Sequence, residues 1–376
     1  MKILNTPYYG IYFGEDSYIK KKNFFLKNFS KKILLVDNIS KTNCLNYFLS
    51  KIDFLKKYYI INIPSGEEKK NIETCKVIWK KLLDINADRK SLFFNLGGGV
   101  ITDLGGFACS VFKRGLNFIN IPTTLLGMID ASIGGKTAIN FLSLKNEIGL
   151  FNFPKGVIID NNFLKTLSEN DLKSGFAEIM KYGLISDINL WKKIKNLILK
   201  KKKLIYSYNL IINAIKIKNS IIEKDPLEKG LRKILNFGHT IGHAIESYFI
   251  YNLNKKISHG HSLAIGMICE SWISYKIKMI TKKEFEEINM IISLLYDNIK
   301  IYNSHISKII DFMKHDKKNE NNKIKFSLLK KIGYSIFNKE VDLFLIKKSF
   351  KKTNLINLME WKKLLAFHFL MENLQL

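Results

Sequence analysis

The stretch SLFFNLGGGVITDLGGFA (91–108) limits the fold more than any other, because an apolar run of strand length enters three consecutive glycines and emerges as an amphipathic helical pattern. Glycine lets a backbone turn this sharply and lets another group approach the main chain without meeting a Cβ. A strand that passes at once into a helix is the building unit of a parallel sheet, since parallel neighbours need a crossover connection. Four further runs share this character: KKILLVD (31–37), YYIINIPSG (58–66), LNFINIPTT (116–124) and KGVIIDN (155–161). Each is short and apolar, most end in turn-forming residues, and helical periodicities separate them, which argues for βαβ units. Beyond residue 161 strand candidates become scarce, and long helical periodicities occupy 171–184, 189–224, 231–250 and 260–280. The pattern predicts an α/β domain over residues 1–160 and an all-α domain over 161–376, a length sufficient for two cores.

Charge is less informative than it first looks. A net charge of +28 would suit a nucleic-acid-binding protein. The lysines, however, run from end to end, as in KKKNFFLKNF, LKKKKLIYSY and IKKSFKK, together with abundant Ile and Asn. That joint bias resembles codon drift rather than a patch built for phosphate backbones, so no nucleic-acid partner is expected. The first residues, MKILNTPYYGIYFGED, hold no apolar stretch of signal-peptide length, and no window offers an uncharged membrane span. Cys44, Cys75, Cys109 and Cys269 show no CxxC spacing and read as free thiols of a reducing compartment, so a cytoplasmic protein without membrane contact is expected.

Three stretches carry chemistry. In NLGGGVITDLGGFA (95–108), backbone N–H groups at a helix N-terminus offer an anion site, although the spacing departs from G-x-G-x-x-G and no phosphate-loop lysine follows. IPTTLLGMIDASIGGKTAIN (121–140) and KNEIGLF (145–151) set hydroxyl, carboxylate and ammonium groups beside glycines. LNFGHTIGHAIE (235–246) places His239 and His243 four apart, on one face of a helix. Thr240 stands where a zinc protease would carry its glutamate, so that reading fails. The two rings could bind one metal, divide between metal and substrate, or simply be hydrogen-bonded in a packing face.

Taken in order, PSGEEKK, GGGVITDLGGF, FKRG, IPTTLLGMIDASIGGKTAIN, KNEIG, SGFAEIMKYG, GLRKILNFGHTIGHAIE and HGHSLAIGM span nearly the whole chain, and together they resemble the 3-dehydroquinate synthase family. The resemblance implies a Rossmann-like nucleotide-binding α/β domain, an all-α metal- and substrate-binding domain, and an enzyme that uses NAD and a divalent metal, zinc or cobalt. Family zinc ligands match Glu178, His239 and His259, which leaves His243 on the substrate side. The NAD positions match Asp37, Asn38, Glu67, Lys70, Gly98, Gly99, Val100, Asp103, Thr123, Thr124, Lys145, Phe163 and Thr166. For the anionic small-molecule substrate, a seven-carbon sugar acid phosphate, the matches are Lys136, Asn146, Lys181, Lys218, Arg232, Asn236 and one of Lys317 and Lys318. Asp130 matches a carboxylate near cofactor and substrate, and Arg114 matches an arginine that reaches the neighbouring active site of a homodimer. Two positions depart from the family: His261 stands where it usually has Glu, and Pro226 where an acidic residue is common. Three rival readings remain at this point: a metal-dependent polyol dehydrogenase, another sugar-phosphate cyclase, and a basic nucleic-acid-binding protein.

Overall fold

The computed structural model describes residues 3–20, 22–26, 29–54, 57–142, 144–200, 207–255, 257–297, 299–314 and 324–353. The chain divides into two compact units, Met1–Ile179 with Tyr206–Arg232 and Met180–Ile205 with Lys233–Leu376.

In the first unit β1 (Ile3–Asn5) and β2 (Gly10–Phe13) precede α1 (Asp16–Lys20) and α2 (Lys22–Leu26). Next come β3 (Lys32–Asp37), α3 (Asn38–Asn43), α4 (Leu45–Lys51), β4 (Tyr59–Ile63), α5 (Ile72–Asp84), β5 (Leu92–Gly97), α6 (Gly99–Val111) and β6 (Asn117–Pro122). After β7 (Lys136–Phe141), β8 (Leu144–Phe151) and β9 (Gly156–Ile159), helix α7 (Glu169–Ser186) runs across the division between the units. Helix α8 (Ile188–Leu199) belongs to the second unit, and α9 (Tyr208–Lys224) returns to the first.

Seven strands form one sheet in the order β1-β2-β9-β6-β5-β3-β4, parallel at every pairing except β1 with β2. A parallel sheet is covered on both faces, so its strands are apolar throughout rather than alternating. All six residues of β5 and all four of β9 are buried accordingly. On one face Ile101, Leu104 and Ala108 of α6 join Ile78 and Leu82 of α5 in a core with Ile33, Leu35, Ile61 and Phe93. From β3 the chain first adds β4 on one side and then β5 on the other, so the strand order reverses at β3 and β5. Open α/β sheets bind ligands outside the carboxyl ends of the strands at such a reversal. Asp37 ends β3 and Gly97 ends β5, at the two lips of that crevice.

The second unit adds α10 (His239–Leu253), α11 (His259–Lys276), α12 (Lys282–Ser293), α13 (Asn303–Lys314), β10 (Lys325–Lys331), β11 (Tyr334–Glu340) and α14 (Leu343–Thr353). It is mostly helical, but the expectation of an all-α domain needs one correction. Strands β10 and β11 pair antiparallel, turning at Gly333 with φ +85°. Phe326–Leu329 are buried, and the Leu329 amide donates to Ser274 Oγ of α11 at 3.1 Å, so the pair is fixed by packing on a helix. Two periodicities also divide. The run over 189–224 yields α8 and α9 as separate helices, and the run over 231–250 is a 3₁₀ segment (Leu231–Asn236) before α10, broken at Gly238 with φ +79°. Among the described residues, no helix is long and apolar enough to cross a membrane. All four cysteines are buried and free.

Candidate active site

The histidines owe their positions to backbone contact. A Cβ at Gly266 of α11 would lie 1.9 Å from the Gly238 carbonyl oxygen, and one at Gly242 of α10 would lie 3.0 Å from the Ser262 carbonyl oxygen. Only glycine permits that approach, so α10 and α11 pack main chain against main chain. His239 opens α10 and His259 opens α11, the latter capped by Ser258. The rings of His239 and His259 lie 5.6 Å apart, centroid to centroid. Each is held by Nδ1: His239 Nδ1 lies 3.3 Å from the Phe237 carbonyl oxygen, and His259 Nδ1 lies 3.3 Å from Glu246 Oε2.

The division between the units falls inside α7, between Ile179 and Met180, so Glu178 stands on the same continuous helix as residues of the second unit. One ligand atom each from Glu178, His239 and His259 lies within 4.8 Å of the others, with Glu178 and His239 buried. A carboxylate and two imidazoles are a donor set that suits a catalytic divalent metal, because three protein ligands leave a position for substrate. His243 stays outside that group, 4.8 Å from the His239 ring in an edge-to-face contact. His261 also stays out. Its Nδ1 lies 2.7 Å from Ser258 Oγ and its ring stacks edge-on against Tyr296, so it offers no competing ligand in this arrangement.

In the first unit, the positions matched to NAD line the carboxyl ends of the strands. Asp37 caps α3, accepting from the Ser40 amide at 2.7 Å, and Asn38 Oδ1 accepts from Asn62 Nδ2 at 2.7 Å. Gly98 is the N-cap of α6, and a Cβ there would meet Thr124 Cγ2 at 3.0 Å. Gly98, Gly99 and Val100 are half-buried at the mouth of an otherwise buried turn. The Thr123 amide donates to the Gly97 carbonyl at 2.9 Å and Thr124 Oγ1 accepts from the Gly127 amide at 3.0 Å, which closes the loop beneath. Lys70 bonds both Asp103 and Asn146 at 2.5 Å, while Glu67 takes Asn140 at 2.9 Å and Lys145 at 3.5 Å. Burial raises the Asp103 pKa, and the Lys70 ammonium partly opposes the rise. Phe163 and Thr166 follow β9 in a 3₁₀ segment, where Phe163 is buried against Tyr47 and Thr166 Oγ1 donates to the Phe163 carbonyl at 2.8 Å.

The positions matched to substrate divide among several elements. In the first unit Lys218 of α9 bonds Asp130 Oδ1 at 2.5 Å, and Lys136 pairs with Glu228 at 2.5 Å. Arg232, 1% exposed, donates to the carbonyls of Gly134 at 2.8 Å and Pro226 at 2.5 Å. Pro226 therefore acts through its backbone, which a change of side chain at that position leaves in place. The Asp225 carboxylate accepts from the amides of Lys229, Gly230 and Arg232 and so shapes this loop. Burial lowers the Arg232 pKa, yet a guanidinium stays charged. Its buried Nε has no protein acceptor among the described residues. In the second unit Lys181, 1% exposed on α7, lies 5.1 Å from the Tyr182 ring centroid, and Asn236 ends the 3₁₀ segment before α10. Arg114 is exposed in the Phe112–Arg114 turn with φ +64°. Lys317 and Lys318 lie outside the described residues.

Sequence reasoning missed three carboxylates: Glu228 beside Lys136, Glu246 beside His259, and Glu270 of α11, which accepts from the Gly238 amide before α10. Glu246 was visible in principle, because residues 239, 243 and 246 lie on one stripe of a helix.

Residues 60–174 match the family model described as 3-dehydroquinate synthase N-terminal, and residues 175–319 match 3-dehydroquinate synthase C-terminal. A 3-dehydroquinate synthase from Parabacteroides distasonis is 39% identical over 313 residues, covering 83% of this chain and 88% of its own. One from Dictyoglomus thermophilum is 41% identical over 339 residues, covering 88% of this chain and 91% of its own. Among solved structures, 2-epi-5-epi-valiolone synthase from Streptomyces hygroscopicus subsp. jinggangensis, with NAD+ and Zn2+ bound, superposes with a TM-score of 0.81 at 22% identity, covering 93% of this chain and 98% of that one. By both halves of the family model and by relatives that match over most of their length, the chain belongs to the 3-dehydroquinate synthase family.

Proposed function

We propose that the chain converts 3-deoxy-D-arabino-heptulosonate 7-phosphate into 3-dehydroquinate and inorganic phosphate, the second step of the shikimate route to chorismate and the aromatic amino acids. The observation that carries this reading, in a chain of this family, is the donor set Glu178, His239 and His259, the first two buried, with His243 beside it. Zinc or cobalt held there supplies Lewis acidity toward a substrate hydroxyl, and NAD supplies a transient acceptor for its hydride. The α6 N-terminus, with Gly98, Gly99 and Val100, binds the cofactor pyrophosphate, and Asp37 and Asn38 stand at the neighbouring strand end for a ribose. Lys70 holds Asp103 and Asn146 in place, and Lys145 with Glu67 frames the same loop. Lys136, Lys181, Lys218 and Arg232 counter the carboxylate, the phosphate and the developing enolate charge, and the Arg232 Nε–H has no protein acceptor among the described residues. Asn146, Asn236 and Asp130 orient hydroxyls, and His243 moves a proton at a ring nitrogen as the sugar ring opens. The leaving phosphate itself takes the proton at the adjacent carbon, so no strong protein base is required. The working form is a cytoplasmic homodimer in which Arg114 reaches the phosphate in the neighbouring protomer.

A continuous phosphate assay with purified protein, the heptulosonate phosphate and NAD far below substrate concentration tests this. Phosphate release many-fold above the NAD present, without net NADH, is expected. Net NADH from glycerol with no phosphate release would replace this reading with a polyol dehydrogenase.

A further inference from the structure

Helix α10 presents three polar side chains on one stripe, His239, His243 and Glu246, at positions i, i+4 and i+7. Two are accounted for above. Glu246 is only 4% exposed, and burying a carboxylate is costly unless something positive or hydrogen-bonding faces it. What faces it is His259 on the first turn of α11, with Nδ1 3.3 Å from Glu246 Oε2. An imidazole that gives its Nδ1 proton to an acceptor has its lone pair on Nε2. His239 is held the same way, but by the neutral Phe237 carbonyl rather than a carboxylate. Both rings thus turn Nδ1 toward an oxygen acceptor, an arrangement that leaves Nε2 for a metal.

We infer that Glu246 is a positioning residue that fixes His259 as the Nε2 ligand of the divalent metal and strengthens it as a donor. The inference rests on the metal reading above. A carboxylate behind a ligating histidine sets ring orientation and raises donor strength, and its loss weakens metal binding about 10–100-fold. A main-chain carbonyl thus stands behind one ring, and a carboxylate two turns into α10 stands behind the other.

Metal-stripped wild type, Glu246→Ala, Glu246→Gln and His259→Ala are titrated with Co2+ against a competing chelator, recording visible Co2+ absorption, with circular dichroism to check the fold. Glu246→Ala is expected to bind Co2+ about 10–100-fold more weakly, with an altered absorption band. Glu246→Gln keeps a neutral acceptor of the same shape, so it is expected to lose only about 3–10-fold and to retain the wild-type band. Wild-type affinity and band in both Glu246 variants, with His259→Ala unable to bind, would overturn the inference and leave the metal site standing. Binding in His259→Ala equal to wild type would overturn the metal reading itself and this inference with it. Should Glu246→Ala fail to fold, the Glu246→Gln affinity decides, and no loss there overturns the proposal.

Discussion

The Gly238 amide donates to Glu270 Oε2 at 2.6 Å, a bond between residues 32 positions apart that ties the start of α10 to the middle of α11. The Ile241 amide adds a second bond to Glu270 Oε1 at 3.3 Å. Glu270 is fully buried, and it satisfies donors that a helix N-terminus otherwise leaves without partners. Glu270→Ala should cost about 2–4 kcal/mol, because it takes the acceptor from two amides, and an unsatisfied buried donor costs about 1–3 kcal/mol. Urea unfolding followed by circular dichroism measures this, and an unchanged midpoint would refute it.

Gly266→Ala should separate α10 from α11, since its Cβ would stand 1.9 Å from the Gly238 carbonyl oxygen, a backbone atom with no rotamer to adopt. Overpacking of this kind costs about 1–3 kcal/mol. Because His239 and His259 open these helices, Co2+ affinity should fall with stability. Paired unfolding and metal titration would expose a variant that is as stable as wild type and binds as well.

Lys136→Ala should abolish phosphate release while leaving the fold intact. The Lys136–Glu228 pair is partly solvent-exposed, so its loss costs about 1 kcal/mol or less. Near-normal turnover in a folded variant would remove Lys136 from the substrate site.

Removal of metal by a chelator should end activity, and zinc or cobalt should restore it. His239→Ala should neither retain metal nor recover. Metal content by mass spectrometry alongside turnover tests this, and full activity at zero metal would count against Glu178, His239 and His259 as ligands.

Three amides lower the Asp225 pKa despite the opposing effect of burial. A depressed carboxyl pKa contributes stability above the unfolded value of about 3.9, and that contribution is lost as pH falls through the folded value. Asp225→Ala should therefore be less stable than wild type at neutral pH, and the gap should narrow below about pH 4. Urea midpoints at neutral and acidic pH give the comparison, and a gap that widens on acidification would reverse the assignment.

Much of this molecule can be read from its residues. The runs at 31–37, 58–66, 91–99, 116–124 and 155–161 contain β3, β4, β5, β6 and β9, because strands buried on both faces leave an unbroken apolar trace. The spacing of His239 and His243 marked a shared helix face, and the ordered blocks supplied Glu178 and His259. What stayed hidden depends on distant partners. KFSLLKK is too short and too basic to read as a strand until Ser274 and α11 are seen beneath it. Lys136–Phe141 and Leu144–Phe151 look like a polar loop, yet they zip into an antiparallel pair. Glu246 and Glu270 look like solvated helix carboxylates, and only the backbone approach of two helices buries them.

The return of α9 to the first unit has a practical consequence. Its Lys218 is the ammonium that Asp130 holds, so the sheet and this helix are one folding body although about fifty residues of chain lie between β9 and α9. A truncated expression product ending near residue 160 would carry every strand of the main sheet and still lack the helix whose Lys218 bonds Asp130. Split-protein or permuted versions of this enzyme should therefore keep α9 with the strands of the first unit.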